Sequence, residues 1–137
     1  MTRIEHYRNS FISIISNDNK VLWCDPWLNG ANGDLWASSE ISLSNFLSSY
    51  ILPDIVYISH IHDDHFDIEF LIKTFSEKEF KIIIPKGEKS YETMFRRLIS
   101  IGIPSKNIYK IDFFEKINID KFDLFILPQY NQSTYKD

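Results

Sequence analysis

The sequence predicts one α/β domain, spanning residues 1–137, built on a mixed β-sheet with flanking helices. Short segments rich in β-branched residues recur along the chain between turn residues, and segments with helical apolar spacing alternate with them. The length of 137 residues fits one domain, and the 44% hydrophobic and 15% aromatic residues can form its core. This composition excludes a disordered or collagen-like chain.

The first elements are predicted to be a β-hairpin followed by a loop. Residues 11–16 and 21–24 are apolar and β-branched, and the polar residues 17–20 between them form a turn. The second strand ends at Asp25–Pro26, because proline cannot continue a central ladder. Residues 27–40 show no periodicity and are predicted to form a loop.

Strands and helices then alternate. Apolar residues at helical spacing predict a helix over 43–50, and the apolar segments 54–59 and 81–85 predict strands buried on both faces. Asp67 is the predicted N-cap of a second helix, and a third is predicted to begin at Ser90 and end at Gly102. Three further strands are predicted over residues 108–112, 116–119 and 122–128.

Three of the four histidines lie within six positions, directly after the predicted strand 54–59. His60 and His62 can face one point, because residues i and i+2 of an extended chain point to the same side. A sharp turn before the next helix would bring Asp64 and His65 to a neighbouring point. Imidazole nitrogens and carboxylate oxygens bind divalent metal ions, and two such points could hold two ions about 3.5–4 Å apart. The spacing therefore predicts metal ligands at His60, His62, Asp64 and His65.

The mixture of ligands suits activation of water. Neutral imidazoles leave the cation a strong Lewis acid, so that a bound water can have a pKa of about 7. Asp64 is the candidate catalytic residue, since it could orient the nucleophile as well as bind metal. Zinc is the expected cofactor, as one or two ions, with iron and manganese as alternatives. A solvated surface turn is the structural alternative for the same residues.

The string His60-x-His62-x-Asp64-His65 resembles the signature of the metallo-β-lactamase fold superfamily, and the strand ending in Asp25 resembles that family's first motif. The resemblance implies the first half of an αββα sandwich. It also implies that His60 and His62 serve a first metal and Asp64 and His65 a second, while Asp25 fixes the loop.

A narrower resemblance concerns the first motif. Asp25-Pro26-Trp27-Leu28, followed by Gly33 and Trp36, is similar to the branch that includes the metallo-β-lactamase-related part of CMP-N-acetylneuraminate hydroxylase. Trp27 and Trp36 are candidates for stacking on a ring of a substrate, with ordinary packing as the alternative.

The family pattern implies further ligands that the sequence lacks. No histidine follows His65, and residues 127–132, where a third ligand would be expected, offer tyrosine and amides. We therefore expect a domain that is incomplete at its C-terminus, with a degenerate remnant as the alternative. The sheet face that would pack on a second half is expected to be bare and to favour self-association.

Three functions follow as hypotheses. The first is a metal-dependent hydrolase that acts on a small molecule, with half of the metal site in this chain. The second is a non-catalytic remnant or interaction module with weak or no metal. The third, from the narrower resemblance, is a sugar-nucleotide-related, hydroxylase-like enzyme.

Charge and hydropathy narrow the partners and the location. The formal charge of −4 argues against a nucleic-acid partner, since phosphate binding requires an excess of Lys and Arg. No apolar run reaches the roughly 18 residues that span a bilayer, so no membrane partner is expected. The charged N-terminus is unlike a signal peptide, which predicts a cytoplasmic protein. Cys24, the single cysteine, is expected to be buried, and His6 to lie at the surface.

Overall fold

The computed structural model describes residues 1–28 and 43–128 as a mixed α/β structure. The strands are β1 (Arg3–Arg8), β2 (Phe11–Ile15), β3 (Val21–Cys24), β4 (Ile55–Tyr57), β5 (Lys81–Pro85), β6 (Ile108–Ile111), β7 (Lys116–Ile119) and β8 (Phe122–Phe125). The helices are α1 (Leu43–Ser49), α2 (Ile68–Glu77) and α3 (Lys89–Ser100), with a short 3-10 helix at Ser105–Asn107. The predicted α/β class and mixed sheet are confirmed.

The sheet has six strands in sequential order from β1 to β6. The first three strands are antiparallel neighbours, which confirms the predicted β2–β3 hairpin, and β3 to β6 run parallel. Strands β7 and β8 form a separate antiparallel hairpin. The carboxyl ends of β3, β4 and β5 therefore lie at one edge of the sheet, where ligands of open α/β sheets commonly bind.

Each face of the sheet carries its own hydrophobic cluster. On one face, Trp23, Val56 and Ile82 pack with buried residues of the helices, including Phe46 of α1 and Phe70 of α2. On the other face, the hairpin β7–β8 provides cover: Leu22, Ile55, Ile83, Ile111, Ile119 and Ile126 form a buried cluster there. Self-association through the second face stays a prediction.

Two differences from the predicted elements have clear causes. Strand β1 was not predicted, because three of its six residues are charged and none is buried, and it is held by pairing with β2. Ser90 as the cap of α3 is wrong: the N-cap is Glu88, and the helix begins at Lys89. The Ser90 hydroxyl contacts the Glu88 carboxylate at 3.4 Å.

The predicted end of α3 at Gly102 is confirmed. Gly102 has a φ of +97°, the Gly102 N–H donates to the carbonyl of Ile99, and the Ile103 N–H donates to that of Leu98. This is a Schellman motif, which favours glycine at the left-handed position.

Strand β4 is shorter than the predicted 54–59, and β8 ends before the predicted Pro128. Most of the predicted loop 27–40, including Trp36, and residues 129–137 lie outside the described residues.

Asp54 fixes the start of the parallel strands. Its carboxylate accepts the backbone N–H of Val21 at 2.9 Å and contacts the ammonium groups of Lys78 at 3.1 Å and Lys20 at 3.3 Å. Burial acts to raise the pKa of Asp54, but these hydrogen bonds and charges outweigh it, and the pKa lies below its ordinary value of 3.8.

We expect Asp54→Asn to lower the free energy of unfolding at pH 7 by about 1–2 kcal/mol. A lowered folded-state pKa stabilises the protein above the unfolded value, and this stabilisation is lost as the pH falls through the folded-state value. The difference between wild type and variant should therefore shrink below about pH 3.8 in urea unfolding. The control is Glu77→Gln, at an exposed position of α2. An equal penalty at pH 3 and pH 7 would contradict the assigned role.

Candidate functional site

The candidate site lies where β3 and β4 end at the same sheet edge. The Asp25 N–H donates to the carbonyl of Tyr57 at 2.8 Å, and the Ile58 N–H donates to that of Ile83 at 3.0 Å. These bonds extend the sheet pairing one residue past β3 and β4. They place the segment from Ser59 to His65 directly beside Asp25.

Asp25 is buried, with 9% of its surface exposed, and it organises the histidine loop. Its Oδ1 accepts a hydrogen bond from the Ser59 N–H at 2.6 Å. Its Oδ2 accepts hydrogen bonds from the Ser59 hydroxyl at 2.8 Å and from Nδ1 of His65 at 2.9 Å. Its φ of +47° is a left-handed conformation that aspartate tolerates better than most residues. One carboxylate thus ties the end of β3 to both ends of the histidine loop.

These hydrogen bonds define the tautomers of two histidines. A carboxylate only accepts, so Nδ1 of neutral His65 carries the proton and Nε2 is the unprotonated nitrogen. The Ser59 hydroxyl donates its hydrogen bond to Asp25. Its oxygen therefore accepts a hydrogen bond from Nδ1 of His60, 2.8 Å away. Nε2 is then the unprotonated nitrogen of His60 as well. This is the arrangement in which an imidazole binds metal through Nε2 while its other nitrogen is held by a partner.

The donor atoms of Asp64 and His65 lie at a spacing that suits a shared cation. Nε2 of His65 is 3.5 Å from Oδ2 of Asp64. Two ligand atoms each about 2.1 Å from one ion, at a tetrahedral angle, would be roughly 3.4 Å apart. The same Oδ2 accepts from the Asn9 amide at 3.3 Å, and the Ser10 hydroxyl donates to the Asp64 carbonyl. The β1–β2 turn therefore holds Asp64 in place.

The imidazole of His60 lies between the two others of the cluster and contacts both. The ring centroids of His60 and His65 are 3.9 Å apart, and those of His60 and His62 are 4.7 Å apart. The residues predicted as ligands thus adjoin in space. Among residues 1–28 and 43–128, however, no group of three or more His, Cys, Asp or Glu side chains is arranged to hold a metal ion. The ligand set and the zinc cofactor stay predictions.

The electrostatic environment shifts the pKa values of His60 and His65 in opposite directions. Burial lowers the pKa of His60, and the neighbouring imidazoles His65 and His62 lower it further against the opposing carboxylates. Burial also acts to lower the pKa of His65, but the hydrogen bond and charge of Asp25, with the charge of Asp64, outweigh it and raise the pKa. His60 is thus favoured in the neutral form that binds metals, whereas a metal at His65 must compete with a proton.

Asp67 supports the site from helix α2. Its Oδ1 accepts the Phe70 N–H at 2.9 Å, which confirms the predicted N-cap, and its Oδ2 accepts the Leu28 N–H at 3.0 Å. The Arg8 guanidinium donates to the carbonyl of Leu28. Sequence reasoning missed this second bond of Asp67, and also Asn9, Ser10 and Arg8, because no local pattern records a contact between distant segments.

The other singled-out residues lie in different surroundings. Trp27 is a buried core residue, which favours packing over stacking on a substrate. His6 is exposed, as predicted, and its Nε2 is 2.6 Å from the carbonyl of Asn9. Cys24, expected to be buried, is half-buried, and desolvation raises the pKa of its thiol to about 12, which does not favour a reactive thiolate. No helix in the described part of the chain is long and apolar enough to cross a membrane.

The fold and the site define a mixed α/β protein with a histidine–aspartate cluster at the carboxyl edge of its parallel strands. The chain is 30% identical over 128 residues to a cytidine monophosphate-N-acetylneuraminic acid hydroxylase from Asterias rubens. The match covers 91% of this chain but 19% of the relative, so the chain spans about a fifth of the relative's length. No family model matches the chain.

Proposed function

We propose that this chain carries a divalent metal site of a metal-dependent enzyme of the metallo-β-lactamase fold, with His60, His62, Asp64 and His65 as ligands. One observation carries the proposal: Asp25 holds Nδ1 of His65 while Nε2 stands 3.5 Å from Oδ2 of Asp64. A solvated surface turn would not need a buried carboxylate that fixes the tautomer of one of its histidines.

The chemistry of the donor set fits a first-row transition metal such as zinc or iron. Such an ion, when bound, supplies Lewis acidity that lowers the pKa of water. The protein's part is to present the ligands: Asp25 and Ser59 orient His65 and His60, and the turn containing Asn9 holds Asp64. Asp64 can also accept a proton or orient a nucleophile beside the ion.

Two reactions are candidates for such a site. A hydrolase would use activated water on an ester, amide or phosphodiester. A hydroxylase-like reaction on a sugar-nucleotide-related small molecule is favoured by the similarity to the Asterias rubens hydroxylase. An interaction module with weak or no metal is the third candidate.

Metal content and reactivity of the purified chain test these candidates. We expect at least one equivalent of zinc or iron after loading and desalting, lost when His60 and His62 are both replaced by alanine and retained in the control His6→Ala. Hydrolysis of nitrophenyl esters or phosphodiesters would support the hydrolase, and iron with oxygen-dependent turnover of a sugar nucleotide would support the hydroxylase-like enzyme. Equal metal content in wild type and the double variant would refute the proposal.

A further inference from the structure

Arg97 differs from the other described arginines in its partners. Arg3 and Arg96 each pair with a nearby glutamate, and Arg8 donates to a backbone carbonyl. Within the part of the chain that the structure describes, the guanidinium of Arg97 forms no ion pair with a carboxylate. Its positive charge is therefore not compensated by a side chain of the described protein.

Arg97 also lines a cavity next to the histidine cluster. The cavity is an open depression of about 360 Å³ at the surface, bordered by the half-buried Ile61 and the exposed His62, Asp63 and Arg97. It lies between the last turn of α3, which carries Arg97, and the loop after β4. The volume is in the range of small-molecule sites. Because His62 belongs to both the cavity and the cluster, a molecule bound here would reach the candidate metal site.

The wall of the cavity combines complementary polar groups. A guanidinium presents a planar set of donors that matches a carboxylate or phosphate with two parallel hydrogen bonds. The carboxylate of Asp63 accepts hydrogen bonds and so suits hydroxyl or amino groups of the same molecule. The dipole of α3 favours a cation in its last turn, where Arg97 lies. Arg96, the preceding residue of the same helix, is exposed and does not line the cavity, so it serves as the control.

We propose that this cavity binds an oxyanion group, phosphate or carboxylate, of a small molecule, and that Arg97 is the residue that pairs with it. That this molecule is the substrate rests on the proposed function, since it places the reacting group beside His62. Arg97 is a specificity-determining residue in this account, and Asp63 selects for hydroxyl-bearing ligands.

The test uses inorganic phosphate and acetate as probes of the two oxyanions. The 15N-labelled full chain, freed of metal and chelator, is titrated with each anion in Tris chloride at constant ionic strength. We expect at least one anion to shift the amide resonances of residues 61–63. Arg97→Gln should weaken this binding roughly tenfold or more, and Arg96→Gln should change it less than twofold. The anion that binds more tightly identifies the group.

Several outcomes would overturn the proposal. These are unshifted resonances at residues 61–63 with both anions, or equal weakening by Arg96→Gln and Arg97→Gln, which would indicate general charge attraction. Arg97→Lys, which keeps the charge but loses the paired donors, should bind several-fold more weakly than wild type and serves if the glutamine variant fails to fold. Zinc binding of the same variants is measured separately, because we expect Arg97→Gln to retain it. Failure of the anion site and failure of the metal site are thus distinguishable.

Discussion

Replacing Asp25 by alanine is expected to lower the free energy of unfolding by about 3 kcal/mol or more. The substitution removes the acceptor of three hydrogen bonds, which are donated by the Ser59 N–H, the Ser59 hydroxyl and Nδ1 of His65. Loss of one member of a buried charge-paired network costs about 3–5 kcal/mol. Alanine also tolerates the φ of +47° less well than aspartate does.

Two controls separate this effect from a general loss of charge. Asp25→Asn tolerates the same backbone conformation and keeps one acceptor oxygen, so we expect a smaller penalty. Asp63→Ala removes an exposed carboxylate of the same loop and should cost less than about 0.5 kcal/mol in urea unfolding. An Asp25→Ala protein as stable as Asp63→Ala would contradict the organising role of Asp25.

The penalty for Asp25→Ala should also depend on pH in the metal-free chain. The pKa of folded His65 is raised above its ordinary value of 6.5, chiefly through Asp25 acting against burial. The pairing therefore stabilises the fold fully below about pH 6.5 and loses this contribution as the pH rises through the folded-state pKa. Unfolding at pH 6 and pH 8 should show the larger penalty at pH 6.

Replacing His65 by alanine is expected to weaken zinc binding more than a hundredfold. Mutation of residues that only orient a metal ligand already costs about 10–100-fold, and His65 supplies a ligand atom itself. Asp25→Asn, which disturbs the orientation of His65, should fall within that smaller range. Competition with a chromophoric chelator measures the zinc affinities of wild type, His65→Ala and Asp25→Asn.

The fourth histidine supplies the matched control for this measurement. His6 is exposed and its ring contacts the backbone of Asn9. We expect His6→Ala to bind zinc within twofold of wild type. If His6→Ala and His65→Ala bound zinc equally well, the ion would not be held by the histidine cluster.

The sequence predicted those elements whose local signals act within a few residues. The hairpin β2–β3, the cap at Asp67 and the end of α3 at Gly102 follow from β-branched residues, a capping carboxylate and a left-handed glycine. Ser90 failed as a cap because sequence alone does not fix the first helical residue. Strand β1 was not predicted because its charged residues are stabilised in a strand by pairing with β2.

The candidate site was predictable in part. The spacing of His60, His62, Asp64 and His65 is local and visible in the sequence. Their support is not local: Asp25 lies 40 residues from His65, and Asn9 lies 55 residues from Asp64. The parallel pairing of β3 with β4 creates the first contact, and the β1–β2 turn supplies the second. No sequence pattern singles out Arg97, because its proposed role depends on the cavity that it lines together with His62.

The most direct test of the metal site is a zinc-soaked crystal of the full chain, recorded on both sides of the zinc absorption edge. We expect an anomalous peak within bonding distance, roughly 2.0–2.2 Å, of both Nε2 of His65 and an oxygen of Asp64. We also expect the hydrogen bond between Nδ1 of His65 and Asp25 to be retained. A peak located only at other side chains, or no peak at saturating zinc, would contradict the proposed metal site.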